Sequence, residues 1–204
     1  MKVIDIMKES AILLGLMQER VAMETVTEEN EVKVMADNPE VFNLFNLFKF
    51  SIREFCSNYV PITTSIKVKS EDKKYPMSML KNLIRIQNIS YNGQSIKFKI
   101  VNRNIIFEED GEYEISYSTY PEIETTFDEI DFLENFSPDV IVFGLCAYYS
   151  LAHGMFTEFE ELHEKYVEKA ESLKDLKIFN MPARRWEWER KKSLKLKNLI
   201  ILTT

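Results

Sequence analysis

The chain has 204 residues, 45% of them apolar and 12% aromatic, with 5 Gly and 6 Pro, which gives enough mass for a real core and too few breakers for long flexible linkers. It contains no run of 18 or more apolar residues, which argues against a membrane span, and its first residues lack the apolar stretch and cleavage site of a signal peptide. The net charge of −7 is uneven: from Lys174 to Thr204 nine Lys or Arg against three Asp or Glu give +6, which leaves −13 for the rest of the chain.

Residues 3–22 repeat apolar residues at Ile4, Met7, Ala11, Leu14 and Val21, with Ile6, Leu13, Leu16 and Met17 widening the face, so an amphipathic helix is predicted. Glu24 to Asp37 is polar and acidic and reads as a loop or a ragged helix end. Asn38-Pro39 restarts a helix over 38–59, with Pro at the first turn. Its stripe is Val41, Phe45, Phe48, Ile52, Phe55 and Tyr59, and Phe42, Leu44, Leu47 and Phe50 broaden it, so packing on more than one neighbour is expected. Pro61 ends this helix and the period falls to two.

Residues 62–119 read as an antiparallel β module of about five strands, inserted between helical pairs and either closed as a small barrel or packed on the helices. Ile62 to Lys69 alternates, and Ser70 to Lys81 is a charged loop. Tyr91-Asn92-Gly93-Gln94 between alternating runs marks a hairpin, and a second hairpin is predicted to pair Ile105-Ile106-Phe107 with Tyr113, Ile115 and Tyr117 across Asp110-Gly111. Glu122 to Asn135 is acidic and bridges back to the helices.

Residues 138–152 carry Val140, Ile141, Phe143, Leu145, Ala147, Tyr148, Leu151 and Ala152, which cover nearly every side of a helix, so burial all round is expected, with Leu145 and Tyr148 in the core. Ser137-Pro138 opens it and His153-Gly154 closes it, with Gly154 free to take the left-handed C′ conformation. Thr157 with Glu160 reads as a capping box for the next helix, 157–174, whose stripe is Phe159, Leu162, Tyr166, Ala170 and Leu173. The chain is therefore read as α+β: a bundle of about four helices with an inserted β module, a single domain over 1–177, followed by an extended C-terminal arm, 178–204.

Residue patterns that carry chemistry are scarce. Gly144 and Gly154 stand alone, without a phosphate loop, and His153 and His163 are ten apart without metal-ligand spacing. Cys56 and Cys146 lie within apolar helical patterns and read as small buried hydrophobes in a reducing compartment. No catalytic residue, cofactor or metal is assigned, and the chain is read as a non-enzyme. The arm differs. Arg184, Arg185, Trp186, Trp188, Arg190, Lys191 and Lys192 form a basic aromatic segment of the kind that anchors protein interfaces, followed by apolar Leu199 to Leu202. In an extended chain both Trp point to one side. A nucleic-acid-binding module that uses this tail is the alternative, and folding of the tail back onto its own domain is a further one.

Several stretches, taken in order, resemble the head–tail connector (adaptor, or head completion) proteins of tailed bacteriophages. Ile6 to Leu16 is similar to the opening helix of that family, which often ends in Leu-Gly, and Asn43 to Leu47 is similar to its second helix. Tyr117 to Pro121 resembles the end of its β insertion, and Phe143 to Ala152 the aromatic-Gly-x-x-Ala-x-Tyr pattern of its third helix. Phe156 to Tyr166 continues the match, and Met181 to Trp186 is similar to its tail, while the apolar end after Lys192 departs from the pattern. The resemblance implies a structural virion protein at the head–tail joint, made in the host cytoplasm. It implies a ring of about twelve copies docked on the portal protein, with a further neck or tail protein below. DNA would pass through the channel without specific binding, no membrane would be involved, and C-terminal arms would reach the portal.

Overall fold

A computed structural model describes residues 1–130 and 137–179. Among them the chain forms a mixed α+β fold with six helices and two small antiparallel sheets. The first helical pattern is broken in two, contrary to the single helix expected over 3–22. α1 spans Val3–Leu13 and α2 spans Met17–Glu24. The cause is Gly15, at φ +73°, where the chain turns left-handed. The Gly15 N–H bonds the Ile12 carbonyl at 3.2 Å and the Leu16 N–H bonds the Ala11 carbonyl at 2.8 Å, the two bonds of a Schellman stop. The acidic stretch after α2, read as a loop or a ragged helix end, instead contains a short helix of its own, α3, over Glu31–Asp37.

α4 spans Pro39–Asn58, with Pro at its first turn as expected. Val41, Phe45, Phe48, Ile52 and Phe55 are buried, joined by Leu44, Ser51 and Cys56. Of the second apolar set, Phe42 and Phe50 remain about half exposed, so this helix is covered on fewer sides than its composition suggests. α5, Asp139–Ala152, is buried along nearly its whole length, including Leu145, while Tyr148 is only partly covered and Leu151 is exposed at the end. It stops as predicted: Gly154 sits at φ +71°, and the Met155 N–H reaches back to the Ser150 carbonyl at 2.9 Å. α6, Phe156–Phe179, packs along α5 through Tyr166 and Ala170. Thr157 lies inside its first turn rather than before it, so the predicted capping box does not form. The turn at Gly154 is so tight that the helix is already under way at Phe156. At the other helix start, no side chain caps α5.

The β region has seven strands among the described residues, not five. β1 (Ile62–Lys69), β7 (Glu112–Thr119), β3 (Leu83–Tyr91) and β4 (Gln94–Ser95) lie side by side in that order, while β2 (Lys74–Pro76), β6 (Asn104–Ile106) and β5 (Lys99–Val101) make the second sheet. The second predicted hairpin is absent. β6 folds back on β5, and β7 instead fills the space between β1 and β3. Two features explain this. β7 is an eight-residue alternating strand whose Tyr113, Ile115 and Tyr117 face inward, matching β1 and β3 in length, whereas β6 has only three residues. Asn102 and Arg103 also take φ of 50° and 61°, the primed-turn conformation that returns β5 to β6 without any Gly. Asp72 and Lys73 make another such turn, held by the Asp110 carboxylate, which accepts the Lys73 N–H at 2.6 Å. The expected Asn92-Gly93 turn forms, with both residues at positive φ.

Two buried clusters result. One gathers α1, α2, α4, α5 and α6, and the other lies within the β region around Ile89, Ile105, Tyr113 and Ile115. Ile62 and Ile84 pack against the helical cluster, and the Arg53 guanidinium of α4 lies 5.3 Å from the Tyr120 ring centre, which ties the two together. The acidic segment after β7 returns to the start of α1. The Val3 and Ile4 N–H groups, which a helix cannot satisfy itself, bond the Asp128 and Thr126 carbonyls at 3.1 and 2.8 Å. Glu31 of α3, itself buried, accepts the Thr126 N–H at 2.6 Å.

Candidate functional site

A cleft of about 440 Å³ opens in the β region, lined by Tyr91, Ile96, Lys97, Glu108, Glu109 and Tyr113. Its aromatic floor follows from strand alternation. Tyr113 points inward from β7, stacks on Phe107 at 3.9 Å between ring centres and lies 5.0 Å from the Tyr91 ring. The Tyr113 hydroxyl donates to the Glu109 carbonyl at 2.7 Å, fixing the chain just before β7. Burial, with Tyr91 alongside, pushes the Tyr113 phenol above its ordinary pKa. Gly111 leaves the room that Tyr91 occupies: a Cβ there would come within 2.8 Å of Tyr91 Cε2. Glu108 and Glu109 are exposed at the lip. An aromatic floor beneath two carboxylates suits a cationic or aromatic guest. None of these residues was singled out from sequence. Glu109 to Glu112 reads there as a turn around Asp110-Gly111, and the signal that could have marked the site is the aromatic set Phe107, Tyr113 and Tyr91 on either side of that acidic run.

The helical core holds a second polar cluster. The Tyr166 hydroxyl of α6 donates to the Glu54 carboxylate of α4, which also accepts the Asn58 amide at 2.5 Å and lies close enough to Tyr148 of α5 to act on its phenol. Tyr59 meets Tyr166 edge-on at 5.6 Å, and Phe50 meets Tyr148 edge-on at 4.9 Å. Burial first, then the Glu54 charge, raises the pKa of both Tyr166 and Tyr148, so at neutral pH these phenols donate protons in hydrogen bonds and do not give them up. The cluster is a clamp on three helices.

The histidines serve structure in the same way. His153 Nδ1 lies 2.9 Å from the Tyr149 carbonyl and Nε2 3.1 Å from Glu40, which joins the end of α5 to the start of α4. His163 packs against the Phe159 and Tyr166 rings. Cys56 and Cys146 are both buried free thiols. Burial pushes the Cys146 thiol up to about 12 even though it donates to the Ser10 carbonyl, so it is protonated at neutral pH. Among the described residues no group of three or more His, Cys, Asp or Glu could hold a metal ion, and no helix is long and apolar enough to cross a membrane.

The described surface also carries apolar residues. Ile12, Leu13, Met17 and Val21, on either side of the Gly15 turn, are 50 to 58% exposed. The interface residues read from the sequence, Arg184, Arg185, Trp186, Trp188, Arg190, Lys191 and Lys192, lie outside the described residues. No protein-family model matches the chain, and a search of curated proteins returns no match.

Proposed function

We propose that this chain is a structural assembly protein of the head–tail connector kind. Copies of it join in a ring of about twelve beneath a portal, with a further neck or tail protein on the other side and DNA passing through without specific binding. α1, α4, α5 and α6 would act as one four-helix bundle that carries the β region, and the arm over 178–204 would dock on the portal or on the next copy through Trp186 and Trp188. The order of elements, helices then β insertion then a helical hairpin, supports this reading. The −13 charge of the body supports it too, since an acidic wall would not hold passing DNA.

The observation that carries the proposal is the set of exposed apolar residues beside the Gly15 turn. Ile12, Leu13, Met17 and Val21 are at least half exposed within ten residues of chain around the turn, and exposed apolar residues of this kind suit contact with another protein. The test is a mass measurement of the protein alone and mixed with portal, repeated after deletion of 178–204. The full chain should assemble on the portal, and the truncated chain should keep its fold and fail to attach. A full chain that stays monomeric with portal, or a truncated chain that attaches equally well, refutes the proposal. The +6 charge of the last 31 residues favours a second reading, a nucleic-acid-binding arm, which requires a salt-dependent affinity of the isolated protein for DNA.

A further inference from the structure

The cleft between Tyr91 and Tyr113 has no occupant among the described residues, and the arm has a composition that fits it. In an extended segment Arg184, Trp186, Trp188 and Arg190 fall on one face, two indoles flanked by two guanidinium groups. The cleft offers the complement: the partly exposed Tyr91 ring, backed by the buried Tyr113, for an indole, and the exposed carboxylates of Glu108 and Glu109 at the lip for the guanidinium groups. Lys97, also in the lining, would meet Glu187 or Glu189 on the opposite face of the same segment. The volume of about 440 Å³ admits an indole with its flanking chain.

We infer that the cleft is the receptor for residues 184–190 of a second copy of this chain. This rests on the reading that the arm meets the next copy, and it names the surface that the arm meets. A contact of this kind is head-to-tail, since arm and cleft are different surfaces, so repetition of it generates a ring or a chain of copies rather than a closed pair.

Both tryptophans of the protein are in the arm, so the tryptophan emission of the full chain reads the arm alone. In the wild-type protein the emission should move to shorter wavelength as concentration rises, as indoles leave water for the cleft. A Glu108→Lys, Glu109→Lys double variant, altered only at exposed positions, should lose this shift while keeping its far-ultraviolet circular dichroism. The decisive step is complementation. The double variant has working arms and a spoiled cleft, whereas a Trp186→Ala, Trp188→Ala variant has an intact cleft and no tryptophan signal. Mixing the two should shift the emission, because arms of the first would enter clefts of the second. No shift on mixing overturns the inference, and so does a wild-type shift that does not depend on concentration, which would place the arm in the cleft of its own chain. If mixing gives no shift but the double variant still attaches to portal, the arm docks on the portal, and the cleft inference fails while the proposed function stands.

Discussion

Gly144→Ala tests a close contact among three helices of the core. A Cβ built at Gly144 of α5 would lie 2.7 Å from Ser51 Oγ of α4 and 3.1 Å from two ring carbons of Tyr166 of α6. Tyr166 cannot withdraw freely, because its ring is fully buried and its hydroxyl is bound to Glu54. Overpacking of this kind costs about 1–3 kcal/mol, against a gain of about 1 kcal/mol from replacing Gly by Ala within a helix. The expected net loss is up to about 2 kcal/mol, with Tm falling by roughly 2–4 °C per kcal/mol for a chain of this size. Ser51 offers the control. Its buried hydroxyl has no hydrogen-bond partner among the described residues, so Ser51→Ala alone should be close to neutral. It also removes the nearer obstacle, so the double variant should be more stable than the sum of the singles by about 0.5–2 kcal/mol. Urea unfolding of the four proteins, followed by circular dichroism, measures the coupling. Additive effects, or a Gly144→Ala protein stabilised by the full helix-propensity gain, would show that the three helices do not meet as closely as described.

Three further outcomes follow from the core. Leu145→Ala, at a fully buried position of α5, should cost about 2–5 kcal/mol in urea unfolding, and a loss under about 1 kcal/mol would mean that α5 is not central. Burial and Glu54 raise the folded pKa of Tyr166 and Tyr148 above the unfolded value near about 10, so the stability they contribute is present below that pH and lost as pH rises beyond it. The urea midpoint of the wild type should therefore fall above roughly pH 10, and it should fall less steeply in Tyr166→Phe; identical slopes would remove the clamp from the account. The Cys146 thiol, pushed up to about 12 and fully buried, should react with a thiol reagent in the native protein only as fast as the protein opens, and immediate native labelling would contradict its burial.

What could be read from the sequence was what depends on near neighbours. The buried length of α5, its stop at Gly154, the Pro39 start of α4 and the Asn92-Gly93 turn each rest on a few adjacent residues whose preferences agree. The errors have a common origin in choices made by distant parts of the chain. Ile4 to Val21 keeps a helical period across Gly15, so the pattern alone could not show that the chain turns there. Asn102-Arg103 and Asp72-Lys73 adopt the same turn as Asn92-Gly93 without a Gly, and the latter is held by Asp110, some forty residues on. Asp110-Gly111 looked like a hairpin tip because its real partner, the loop after β1, cannot be inferred from local residues. The cleft assembles Tyr91 of β3 with Glu108, Glu109 and Tyr113 from beyond β6, a juxtaposition that only the pairing of β7 with β3 creates.

The hydrogen bonds at the start of α1 bear on the order in which the molecule folds. α1 is made well before its partners: the carbonyls that complete its first turn, those of Thr126 and Asp128, follow α4 and the whole β region in the chain, and the Ile130 N–H in turn bonds the Met1 carbonyl. Closing so long a loop carries an entropic cost that local helix formation does not, so this junction is a late step, as in other contacts of high sequence separation. Until it closes, Val3, Ile4, Ile6 and Met7, all buried in the finished molecule, have only part of their cover. A ribosome-bound chain that stops before residue 126 would therefore hold α1 with its first turn frayed and its apolar face open, the state in which such a chain is most exposed to chaperones and proteases.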